Sequence, residues 1–101
     1  MTDELRAMFL GRFMASAHRR IDHGFHLLAE PDGAVALAGE FHAVAGEAAV
    51  LGLNSVAAIA RAGEALARRA AGQGEPLGAC VGSLAALRRA LDELGPVAAS
   101  G

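Results

Sequence analysis

Between the three prolines, at positions 31, 76 and 96, apolar residues recur at helical intervals, without the strict alternation of a half-buried strand. The pattern predicts four helices and an all-α protein. Helix one opens with Thr2 or Asp3 as N-cap and Glu4 in its first turn, and runs to about Glu30, where Pro31-Asp32-Gly33 makes a turn. Leu5, Phe9, Phe13, Ala17 and Ile21 repeat every four residues, so their stripe drifts around an axis with 3.6 residues per turn, and a bend is expected at Gly11 or Gly24. Helix two spans about Gly33 to Leu51, with Gly52 suited to a left-handed C-terminal position. Helix three takes Asn54 as its cap, buries Val56, Ile59, Gly63, Leu66 and Ala70, and ends before Gly72-Gln73-Gly74. Helix four follows Glu75-Pro76. It carries Leu77, Leu84 and Leu91 interleaved with Cys80, Leu87 and Leu94, and stops at Gly95-Pro96.

Short turns make sequential helices antiparallel neighbours, so the expected architecture is an up-down-up-down four-helix bundle. A chain of 101 residues has room for one core. Residues 1–95 are expected to form that single domain and residues 96–101 a frayed tail.

Composition narrows the function classes. The hydrophobic fraction of 53% is largely alanine, and with four Phe, no Trp and no Tyr the core is small and aliphatic. Residues 43–60 are long enough to be weighed as a membrane span, but Glu47, Asn54 and Ser55 interrupt them and no membrane role is expected. A net charge of −2 and a pI near 6.0 argue against nucleic acid as partner, because neutralising phosphates requires a basic excess on one face. Cys80 is the one cysteine, so no internal disulfide forms, and Met1-Thr2-Asp3-Glu4 lacks the order of an export signal; a cytoplasmic location follows as the expectation.

The candidate chemistry lies in Glu40–Gly52. Leu37, Phe41, Val44, Ala48 and Leu51 fall within a stripe roughly 80° wide, and His42 lies about 140° from its middle. The imidazole should therefore point away from the core, with Ala38, Gly39, Ala45, Gly46 and Ala49 around it and Glu40 and Glu47 together to one side. Each glycine inside a helix costs about 1 kcal/mol relative to alanine. A bulky residue at Gly46 would lean back over the ring, whereas glycine leaves it open to a partner. Close packing against a neighbouring helix is the competing explanation for the same small residues.

Here the sequence resembles the histidine phosphotransfer (Hpt) domains of bacterial multistep phosphorelays. The family motif reads His-x-Leu-Lys-Gly-x-Ala, an apolar turn, then Gly; this chain has His42-Ala43-Val44-Ala45-Gly46-Glu47-Ala48, then Gly52-Leu53. The likeness covers nearly the whole chain, including a long preceding helix, the Pro-Asp-Gly turn, and a following helix with Glu64 in its middle. One departure is Ala45, where the family often has Lys or Arg that helps hold the phosphoryl group. The chain contains no lysine, all nine basic residues being arginine.

The resemblance implies that His42 is the phosphoacceptor. It would take a phosphoryl group from the aspartyl phosphate of a receiver domain and pass it to another, with Ala38, Gly39, Ala45, Gly46 and Ala49 forming the docking and access surface. Free imidazole, with a reference pKa near 6.5, keeps a large nucleophilic fraction at cytosolic pH. Response-regulator receiver domains and hybrid histidine kinases are the implied partners. This chain is expected to act as a monomer without cofactor, the receiver supplying Mg²⁺. No Gly-rich phosphate loop is present, so a phosphohistidine carrier without ATP-dependent kinase activity is expected.

Other residues offer weaker alternatives. Phe9 and Phe13 would flank the partner surface or belong to the core. His18, Asp22 and His26 share one helix face at metal-ligand spacing, which admits a metal-binding bundle. Arg61, Arg68 and Arg69 are read as surface charges, or as the source of the positive charge that Ala45 does not supply. A non-catalytic helical module docking a partner through the same Ala/Gly face is the principal alternative function.

Overall fold

The computed structural model describes the backbone of residues 2–100 and the side chains of residues 2–94. It contains four helices, α1 (Asp3–Leu27), α2 (Gly33–Val50), α3 (Asn54–Gln73) and α4 (Ala79–Ser100), and no strand among the described residues. Each helix packs on the two beside it, and α4 closes back on α1. This is the antiparallel up-down-up-down bundle that the short turns require.

Local chemistry accounts for most of the helix ends. Thr2 Oγ1 accepts from Leu5 N–H at 3.2 Å, and Asp3 and Glu4 occupy the first turn of α1, where the helix dipole favours negative charge. Gly52 adopts φ +74° and Gly74 φ +66°, ending α2 and α3 in the left-handed region open to glycine. Several ends differ from the sequence reading: α1 stops at Leu27, short of Glu30, α3 continues through Gly72 and Gln73, and α4 begins at Ala79, after Leu77. Asn54 is the first residue of α3, and its side chain makes no capping hydrogen bond; Leu53 holds the cap position. The backbone of α4 continues past Gly95-Pro96 to Ser100, because proline removes one N–H and the following Val97-Ala98-Ala99 residues can still hold helical backbone. Gly101 of the expected tail lies outside the described residues.

The core draws on all four helices: Phe13, Ala17 and Ile21 from α1, Leu37, Phe41 and Val44 from α2, Val56, Ala60 and Ala67 from α3, Cys80, Leu84, Leu87 and Leu91 from α4. In α1 the four-residue repeat drifts about 40° per step. It carries Leu5 and Phe9 off the core face, so that Phe9 is 40% exposed while Phe13 is buried. No bend divides α1 into two helices. Gly24 instead admits its neighbours, since a Cβ there would sit 2.8 Å from Leu84 Cδ2 and 3.2 Å from Leu37 Cδ1.

The tightest helix pair is α2 with α3. Buried Ala57, Ala60, Gly63 and Ala67 form the α3 side, with Ile59 and Leu66 displaced to its margin. A Cβ at Gly63 would come within 2.5 to 2.7 Å of three Phe41 ring carbons, so glycine is what seats that ring.

Candidate functional site

His42 sits in the middle of α2 with its side chain 73% exposed. Gly39 and Gly46 are exposed beside it, and a Cβ added to either would meet no atom within 4 Å. Packing therefore gives no reason for these two glycines. Ala49 is also exposed.

Ala38 and Ala45, expected on the same open face, are instead buried, at 6% and 4% exposure. The buried residues of α2 are Gly33, Leu37, Ala38, Phe41, Val44, Ala45 and Ala48, an arc centred about 110° from His42 instead of the anticipated 140°. The close α2–α3 approach rotates the buried arc toward His42 and covers both alanines. Ala45 therefore contacts the core instead of a docking partner, and Ala38 forms part of the floor of the hollow beside His42.

That rotation also brings an acidic side chain to the ring. His42 Nδ1 lies 3.2 Å from Glu64 Oε2 and 3.3 Å from Oε1, across the groove between α2 and α3. Glu64 is half-hidden in this groove, its side chain 14% exposed. Arg68, one turn further along α3, donates to Glu64 Oε2 from Nε at 2.9 Å and from Nη2 at 2.5 Å. The hydrogen bonds from Arg68, more than those from His42, hold the Glu64 carboxyl below its ordinary value of 4.5, partial burial opposing them. An ionised carboxylate only accepts hydrogen bonds, so Nδ1 carries the proton. In the neutral ring the lone pair then lies on Nε2, which has no hydrogen-bond partner among the described residues.

An open hollow of about 530 Å³ adjoins the ring, lined by Val35, Ala38, Gly39, His42, Arg68, Ala71 and Gly72. Its only formal charge is the Arg68 guanidinium. On the opposite flank Glu40 and Glu47 tie α2 to α1: Arg20 lies 3.2 Å from Glu40 and 3.8 Å from Glu47, and His23 Nδ1 is 3.4 Å from Glu40. A second hollow, about 600 Å³, runs between α1 and α2, lined by Phe9, Arg12, Phe13, Arg19, Glu47 and Val50 among others, and contains no histidine.

The other singled-out residues do not assemble a site. Arg88 takes Asp22 as its ion-pair partner and lies over the Phe25 ring, withdrawing that carboxylate from His18 and His26. Among the described residues no group of three or more His, Cys, Asp or Glu side chains is placed to hold a metal ion. Cys80 is a buried core residue whose thiol burial pushes above its ordinary pKa. Arg69 pairs with Glu75 at 3.8 Å. Among the described residues no helix is long and apolar enough to cross a membrane.

Sequence reasoning located His42 but gave Glu64 no role. One signal was available: Glu64 and Arg68 stand four apart on one face of α3, an arrangement that restrains a carboxylate. No family model, no curated protein and no solved structure matches this chain.

Proposed function

We propose that this protein is a phosphorelay intermediate of the histidine phosphotransfer type, carrying a phosphoryl group on His42 Nε2 between the aspartates of two receiver domains. One observation carries the reading: an exposed imidazole whose Nδ1 is held by a carboxylate while Nε2 has no hydrogen-bond partner among the described residues, on a helix whose Gly39 and Gly46 add no side chain near it.

The chemistry follows from that arrangement. The Nε2 lone pair attacks the phosphorus of an aspartyl phosphate, the N–P bond forms, the acyl P–O bond breaks, and the aspartate leaves as a carboxylate. The Nδ1 proton stays in place, so the ring becomes cationic as the bond forms, and Glu64 faces that developing charge. The carboxylate thus fixes ring tautomer and orientation, as the aspartate does for the histidine of a hydrolase triad. Because phosphoryl transfer depends chiefly on positioning and charge neutralisation, the Mg²⁺ and the acyl phosphate would come with the receiver. Exposed Gly39, Gly46 and Ala49 leave room for its approach.

Incubation with radiolabelled, phosphorylated receiver domains tests the proposal. Label is expected to move to this chain, to be lost in acid, to survive base, and to be absent from His42→Ala. Failure of transfer from a broad panel of receivers would overturn the relay and leave a non-catalytic interaction module using the same face.

A further inference from the structure

Resting on that reading, we infer that Arg68, reaching from α3, neutralises the phosphoryl group carried on His42, and that Glu64 holds the guanidinium beside the ring until the group arrives. α2 contains no lysine or arginine, and Ala45 is buried. Any fixed cation that this chain itself brings to the ring comes from a neighbouring helix. Arg68 and His42 share one carboxylate oxygen, at 2.5 Å from Nη2 and 3.2 Å from Nδ1, which anchors a full positive charge within about 6 Å of the ring. Arg68 uses Nε and Nη2 on Glu64 and leaves Nη1 without a hydrogen bond among the described residues. Its exposed side chain lines the same hollow as His42. Of the other arginines on α3, Arg69 faces Glu75, and Arg61 does not line the hollow.

Glu64 offers Arg68 a single negative charge, shared with the histidine. A phosphoryl group on Nε2 offers up to two, on oxygens that suit the planar guanidinium fork. Arg68 then turns from the carboxylate to the phosphoryl oxygens, and Glu64 remains with the cationic ring, where it acts as a positioning residue.

The test uses the full chain and ³¹P NMR. The phosphoryl group is loaded either from a phosphorylated receiver or from phosphoramidate, whose P–N bond breaks to release ammonia as the Nε2–P bond forms. The phosphohistidine resonance is titrated against pH in the wild type, Arg68→Ala and Arg68→Lys, with circular dichroism showing that each variant keeps its helices. Removing a cation that touches the phosphoryl group makes its second ionisation harder. The titration midpoint is expected to rise by about one pH unit in Arg68→Ala and to return most of the way in Arg68→Lys. A merely structural arginine would leave it in place. Equal midpoints in wild type and Arg68→Ala overturn the role of Arg68 while leaving the relay standing. No phosphohistidine in the wild type from either donor overturns the relay, and this inference with it.

Discussion

Gly39 and Gly46 stand on either side of His42 along α2, and packing does not require either of them to be glycine. A methyl group added at either meets nothing within 4 Å, yet a glycine in a helix interior costs about 1 kcal/mol relative to alanine. Gly46→Ala is therefore expected to stabilise the protein by roughly 0.5 to 1 kcal/mol in urea unfolding. On the relay proposed for His42, Gly46→Leu is expected to keep the fold but to cut the rate of phosphoryl uptake from a receiver about tenfold or more, because its side chain leans back toward His42. Wild-type uptake by the leucine variant would show that access to the ring is not what these glycines provide. The outward direction of His42 was legible from helical periodicity alone. Its hydrogen-bond partner was not, because Glu64 lies 22 residues away and meets the ring only where two helices cross a groove.

At the scale of the elements, the α2–α3 pair decides the geometry of the site. Gly63 receives the Phe41 ring, and buried alanines on both helices let the axes approach closely. This approach puts Glu64 and Arg68 opposite His42. Gly63→Ala is expected to cost about 1 to 3 kcal/mol by overpacking against Phe41, read as a lowered urea midpoint. It should also weaken the His42–Glu64 contact, visible as a changed Nδ1 environment in ¹⁵N NMR of the ring. An unchanged midpoint would mean that the two helices tolerate separation. The sequence reading counted Gly63 on the buried face correctly but centred the α2 stripe too far from His42, assigning Ala38 and Ala45 to the open side. Periodicity finds a hydrophobic face from large residues, and here alanines extend that face on one side only.

For the molecule as a whole, the Glu64 carboxylate connects the site to global stability. Its folded-state pKa lies below the ordinary value, so its contribution is present above that value and is lost as pH falls through the folded-state one. Glu64→Gln is expected to be less stable than wild type by roughly 0.5 to 1 kcal/mol at pH 7, with the gap narrowing as pH drops below about 4.5. Urea unfolding followed by circular dichroism at a series of pH values measures both. A gap that stays constant with pH would rule out ionisation of this carboxylate as its source. The bundle draws on the seven-residue pattern expected of α4: Cys80, Leu84, Leu87 and Leu91 are buried, whereas Leu94 is partly buried and Leu77, also partly buried, precedes the helix.

The order of residues was enough to specify four helices, their turns, the antiparallel arrangement and an exposed histidine, because each depends on propensity, caps and periodicity that act within a few residues. Helix rotation about each axis was left open, since small residues on several faces allow more than one close packing. Only the assembled bundle selected one rotation, burying Ala38 and Ala45 and drawing Glu64 and Arg68 to His42. The reason is steric: the Phe41 ring lies where a Cβ on residue 63 would collide with it, and seating it over Gly63 sets which side chains of α2 and α3 face each other across the groove.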